Sequence, residues 1–326
     1  VEAEAQNMQR STFMLSGAAA LVLGTTARAG AADAADVSVM YAGSLVTVME
    51  RSVVPALRDQ GLNVLGEPKG SVAIANLISS GLRHPDVFVS ADVAVIAKLL
   101  GTGPDAIASW YAPFATTRLV IGYSAASRFA GDFAACARGE KKLTSVLLEP
   151  GLKLGRTDPA LDPKGYRSII AAKLLEADGG PPGFADKLLG DPKNADEVFP
   201  EETLLVRLES GELDAAFLYA TESVARNVPA VELPKTANLG DPALAAHYAT
   251  QSVTIDGITR TGSPAIYAIT ILNKPPHPDA ASRFVSYLFS QAGGTLLTAS
   301  GVTVVHPEIV GDKTAVPAGI LRALPA

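Results

Sequence analysis

One junction recurs in this chain and limits what it can fold into: a short apolar strand, one or two small residues including a serine, then a helix. Tyr41-Ala42-Gly43-Ser44-Leu45, Lys69-Gly70-Ser71-Val72 and Val89-Ser90-Ala91-Asp92 all have this form. Around them the pattern alternates, with strands predicted at 37–41, 62–65 and 86–89 and helices at 44–57, 71–82 and 92–100. Alternation of this kind builds βαβ units on a mostly parallel sheet. Parallel strands bring the junctions to the same edge of that sheet. A serine at such a place caps its helix, or turns its hydroxyl toward a ligand beside free N–H groups that favour an anion. Glycine lets the backbone approach a bound group closely.

A second set of elements follows the β-rich run 118–123. It comprises a strand at 153–155, helices at 165–177 and 202–210, and a strand at 215–219, with 178–192 read as loop from its Gly, Pro and Asp content. A strand at 264–272 and a proline-rich break at 274–278 precede an amphipathic helix at 280–291, whose Phe284, Val285, Leu288 and Phe289 form a core-packing face. The arrangement predicted is two α/β lobes, one inserted into the other. Lobe one takes 35–118 plus 263–326 and lobe two takes 119–262, with crossovers near Leu119 and Gly262. A small ligand is expected in the cleft between them. Asp162 stands at the start of the 165–177 helix as an N-cap, Glu202 and Thr203 open the next helix, and Tyr219 ends a strand where its hydroxyl can reach the cleft or fill core space.

Composition narrows the function. With 326 residues, 48% of them hydrophobic, the chain has mass for two lobes. A net charge of −6 provides no basic field for nucleic acid or an anionic membrane, so an anion would be held by local dipoles and hydrogen bonds. Cys136 is the single cysteine, which rules out an internal disulfide or a thiolate zinc cluster. His84, His247, His277 and His306 are not paired at metal-ligand spacing. There is no G-x-S-x-G elbow, H-E-x-x-H or Walker A sequence, and no cofactor is expected. An enzyme would have Glu222 as its best acid/base.

At the N-terminus, Met8 and Arg10 lead into the apolar run 13–23 and then Ala27-Arg28-Ala29, the anatomy of a secretory signal peptide. Residues 1–29 are therefore expected to be leader and upstream sequence, the mature protein beginning near Gly30 and working in the periplasm or another extracytoplasmic space.

The segments YAGSL (41–45), KGSVA (69–73), PDVFVSAD (85–92), DPKGYR (162–167), LESGELDAAFLY (208–219), VELP (231–234) and NLGD (238–241) occur in family order. With them, residues 37–305 resemble the molybdate/tungstate-binding proteins of ABC transporters, closer to the tungstate-type branch. The resemblance implies a type II periplasmic-binding fold that holds an oxyanion between its lobes, a monomer whose partner is an ABC permease. It also implies roles for particular residues. Ser44 and Ser71 are the lobe-one serines that hydrogen-bond the anion, Asp162 takes the family's cleft position, Glu202 and Thr203 offer backbone N–H groups, and Tyr219 donates its hydroxyl. One position departs: the tungstate-type branch has a carboxylate before that tyrosine, where this chain has Leu218. Either a tetrahedral oxyanion is held by hydrogen bonds alone, or the ligand is another small anion such as sulfate, phosphate or a carboxylate. An ionised Asp162 facing a dianion is repulsive unless it is turned away, protonated or engaged with Lys164.

Overall fold

The structure is a computed structural model that describes residues 35–324; the leader read at 1–29 lies outside them. Strands β1 (Ala35–Ala42), β2 (Leu62–Lys69), β3 (Val87–Ser90) and β4 (Trp110–Thr116) open the chain. A second group follows: β5 (Leu119–Tyr123), β6 (Leu154–Thr157), β7 (Val198–Phe199), β8 (Ala215–Tyr219) and β9 (Ala230–Glu232). The strands β10 (Ser252–Ile255) and β11 (Ile258–Thr261) form a hairpin. Finally β12 (Ile266–Ile271), β13 (Thr303–Val304) and β14 (Val310–Gly311) return to the first group.

Two main sheets result. The first runs β13-β4-β12-β3-β1-β2, with β14 also on β4; the second runs β7-β6-β8-β5-β9. The chain leaves the first sheet after Thr116, enters the second at Leu119, and rejoins the first at Ile266. Backbone bonds tie these crossings together: Thr117 N–H donates to Ala265 O at 3.0 Å and Ala265 N–H to Leu239 O at 2.7 Å.

β1 pairs in parallel with both β2 and β3; the apolar runs of β1 and β3 bury side chains on both faces, while β2, at the sheet edge, exposes Leu65. All three serine-bearing junctions consequently leave the same edge. The 44–57 helix is real but irregular: a π-helical turn at Met49–Val53 ends two residues before Pro55, whose ring nitrogen has no hydrogen to donate to the helix ladder.

The segment 178–192, expected to be loop, contains a helix at Phe184–Leu189. Phe184, Ala185, Leu188 and Leu189 are buried, and the Glu176 carboxylate accepts from the N–H groups of Gly183 (2.8 Å) and Ala185 (3.0 Å). Its cap is borrowed from the preceding helix, so local composition did not reveal it. That preceding helix, Pro163–Ala177, is buried over most of its circumference and includes the buried Lys164 and Arg167. Two buried cations on a central helix are unusual enough to mark where the chemistry lies.

Candidate functional site

The edge where β1, β2 and β3 end forms one wall of a cleft. Ser44 is buried, and its hydroxyl lies 3.0 Å from the Tyr267 hydroxyl on β12. Ser71 begins the Ser71–Ser79 helix; its Oγ accepts the Ala91 N–H at 3.0 Å, which leaves the hydroxyl proton free to be donated. The next two N–H groups of that helix, from Val72 and Ala73, both donate to the Leu161 carbonyl at 3.1 Å. The opposite wall therefore supplies the cap that no side chain provides here. Gly70 permits the approach, since a Cβ there would lie 2.5 Å from Leu161 O.

The facing wall is charged. Lys164 Nζ donates to Glu222 Oε1 (2.6 Å), Glu222 Oε2 (2.8 Å) and Glu201 Oε1 (3.2 Å). Burial alone would lower the lysine's pKa, but the Glu201, Glu222 and Asp162 carboxylates overcome that and hold it raised. Burial also pushes the carboxyl of Asp162 up, and that of Glu201 well above the usual carboxylate range. Three positions along the central helix, Arg167 donates to the Ala91 carbonyl (2.8 Å), the Tyr219 hydroxyl (2.9 Å) and Asp92 Oδ2 (2.9 Å). Tyr166 donates to the same Asp92 oxygen. The Tyr219 and Tyr267 rings meet edge to face with centroids 6.4 Å apart.

A continuous path of contacts thus runs Ser44, Tyr267, Tyr219, Arg167, Ala91, Ser71. Three sequence-predicted residues, Ser44, Ser71 and Tyr219, are linked by it. Asp162 lies close by, but its Oδ1 is committed to the Thr157 hydroxyl (2.7 Å) and the Lys164 N–H (2.8 Å), as a helix N-cap. Glu202 and Thr203 sit at the start of the Glu201–Glu209 helix with exposed side chains. Glu202 faces Lys69 at 3.8 Å, and the Thr203 N–H is bonded to Pro200 O at 3.0 Å.

Leu218 points the other way. It packs with Val120, Leu204, Leu205 and Leu208 in a separate apolar cluster behind the sheet. Neighbouring residues of a strand face opposite sides, so a cleft-facing Tyr219 puts position 218 in the core. The buried carboxylates on this side of the sheet include Asp162, Glu201 and Glu222. Sequence reasoning missed Glu201 and Tyr267 and gave Lys164 and Arg167 no ligand role; a charged residue within a buried helix was the available signal.

Two cavities flank Glu201 and Glu202. One of about 320 Å³ is lined by Lys69, Gly70, Asp158, Leu161 and Asp162 among others, and one of about 210 Å³ by Gly43, Ser44, Pro68, Glu222 and Arg226 among others. Among the described residues, no group of three or more His, Cys, Asp or Glu is placed to hold a metal ion, and no helix is long and apolar enough to cross a membrane.

Residues 37–303 match the family model of bacterial extracellular solute-binding proteins. A Haloferax volcanii protein described as an ABC transporter molybdenum-binding protein is 33% identical over 319 residues, spanning 95% of this chain and 97% of that one. The molybdate/tungstate-binding protein of Thermococcus kodakarensis is 26% identical, over 74% of this chain and 73% of its own. Among solved structures, the periplasmic molybdate-binding protein of Azotobacter vinelandii superposes with a TM-score of 0.57 at 16% identity, covering 83% of this chain and all of that one. The last likeness establishes the fold, two α/β lobes as in periplasmic binding proteins. By sequence, the chain belongs to the bacterial extracellular solute-binding protein family.

Proposed function

We propose that this protein captures molybdate or tungstate outside the cytoplasm and delivers it to an ABC importer, without catalysis. The observation that carries the reading is the path joining Ser44, Tyr219 and Ser71. It collects hydroxyl donors from both walls of one cleft beside the Lys164 ammonium, in a chain whose relatives are named for these anions. Ser44, Ser71 and Tyr219 are the proposed donors, joined by backbone N–H groups near Glu202 and Thr203. Asp162 acts on the ligand indirectly, by fixing the start of the helix that carries Lys164. Lobe one is taken as 35–118 with 263–326 and lobe two as 119–262, closing about the paired crossings. The protein is expected to act as a monomer in the periplasm after removal of its leader.

A thermal-shift panel of molybdate, tungstate, sulfate, phosphate and small carboxylates tests the reading, because a ligand that binds only the folded state raises apparent stability. Molybdate and tungstate should give the largest and similar shifts, with sulfate weaker. A larger shift from phosphate or a carboxylate would redirect the assignment.

A further inference from the structure

Glu201 is the carboxylate the anion-binding reading leaves unexplained. Its side chain is only 4% exposed, although it stands at the first turn of its helix. It is pressed against the Gly43-Ser44 junction of the opposite wall: a Cβ added to Gly43 would fall 2.2 Å from Glu201 Cγ, so only glycine fits beneath it. The three neighbouring acids differ in how they are served. Glu222 receives two bonds from Lys164 and one from the Tyr219 N–H. Asp162 receives a hydroxyl and an N–H. Glu201 receives only the longest bond from Lys164, and its Oε2 is buried without a partner.

A buried carboxylate oxygen with no donor is costly if ionised, and a dianion brought beside it would add repulsion. A neutral carboxyl removes both penalties, since its O–H becomes a donor for an anion oxygen. We propose that Glu201 takes one proton from solvent as the cleft closes on the oxyanion, and presents that proton to the anion as a hydrogen bond. The inference rests on the oxyanion reading above. With the cleft open, Glu201 would be hydrated at a helix N-terminus, which favours its ionised form; closure against Gly43 removes the water. The direction in which burial and Asp162 move its carboxyl agrees with this. The charged groups around it are Lys164, Asp162 and Glu222 on its own wall, with Glu202, Lys69, Asp158 and Arg226 bordering the two cavities. Of these, Asp162 and Glu222 are the rival proton carriers.

The sign is fixed by linkage. A carboxyl whose affinity for protons is higher in the closed, liganded state favours that state at low pH. As pH rises past its open-state pKa, binding weakens by up to tenfold per pH unit, until its closed-state pKa is passed. The test is calorimetric titration of molybdate and tungstate into the whole protein at neutral pH, in buffers of different ionisation enthalpy, which counts protons directly. About one proton should be taken up per anion by the parent, and Glu201→Gln should take up none and lose the pH dependence. Tight binding by the parent with no proton uptake would overturn the proposal and leave the oxyanion reading standing. Uptake that persists in Glu201→Gln would move the proton to Asp162 or Glu222 and also overturn it. No binding of either anion by the parent would remove the reading beneath it. Because the parent is measured first, a misfolded variant does not rescue the idea.

Discussion

The two walls of the cleft solve the same problem with different chemistry. The wall at the ends of β1, β2 and β3 presents neutral hydroxyls and backbone groups, each already partnered: Ser44 with Tyr267, Ser71 with Ala91. The wall on the central helix presents full charges, Lys164 and Arg167: Glu201 and Glu222 compensate the lysine, and Asp92, from the junction after β3, reaches across to the arginine. Hydroxyls can be buried with one bond each and still retain a donor. Charges can be buried only as a set, because an unpaired ion in the interior costs several kcal/mol. The neutral wall is therefore suited to shape and direction, and the charged wall to setting which ionic state of the cleft can close. Damage to the two walls should look different: substitutions in the neutral wall should affect affinity first, those in the charged wall folding first.

The sharpest way to break that contrast is Lys164→Met. It leaves Glu201 and Glu222 buried without their shared cation. The expected loss is about 3–5 kcal/mol of folding stability, the usual cost of removing one partner from a buried ion pair. Denaturant unfolding measures it. Adding Glu222→Gln to Lys164→Met should recover part of the loss, since one orphaned charge is then gone. If Lys164→Met unfolds like the parent, the charged wall is not a coupled set.

Next in size is Leu218→Ala. Leu218 is fully buried behind the sheet, so truncation should cost about 2–5 kcal/mol in stability with affinity for molybdate held within about twofold, or ~0.4 kcal/mol. A large affinity loss at constant stability would mean that position 218 communicates with the cleft after all. Ser44→Ala and Tyr219→Phe should do the opposite. Each removes one donor to a charged acceptor, worth about 1.5–3 kcal/mol or about ten- to hundredfold in affinity. Tyr219→Phe should also lose some stability, because Arg167 loses an acceptor at 2.9 Å. Calorimetric affinity and unfolding free energy, read side by side, separate the hydroxyl donors from the residues that only hold the fold.

How far the sequence discloses this site follows from the same contrast. The neutral wall is local: a strand, a Gly-Ser pair and a helix are contiguous, and parallel pairing brings the junctions together. Strand β8 was legible to its end residues, 215–219, because a short apolar run with Phe217 and Tyr219, opening after Asp214, reads as a buried strand. The charged wall is not local. Lys164 is 37 residues from Glu201 and 58 from Glu222, and even on the neutral wall the partner of Ser44, Tyr267, is 223 residues away. Nothing in composition or period selects those partners among the chain's many acids and tyrosines. The orientation of Leu218, by contrast, was available from strand alternation once Tyr219 was placed in the cleft.

The smallest expected effects fall on Glu202 and Thr203, and they bear on where the charged wall ends. Both stand in the first turn of the Glu201–Glu209 helix, one and two residues past the buried Glu201. The Glu202 carboxylate is 44% exposed and 3.8 Å from Lys69, itself 37% exposed, a contact worth about 0–1 kcal/mol. The Thr203 hydroxyl donates to Pro200 O at 3.2 Å on the exposed side of the turn. If Glu202 serves the ligand, it does so through its backbone N–H, which side-chain substitution leaves in place; the Thr203 N–H already donates to Pro200 O at 3.0 Å. Glu202→Gln and Thr203→Ala should therefore change molybdate affinity by less than about threefold, or ~0.7 kcal/mol, with stability nearly constant. A tenfold loss in either would show that the side chains turn inward around a bound anion. The wall facing Ser44 would then be polar and adaptable at its rim, and the division between a neutral and a charged wall would stop at Glu201.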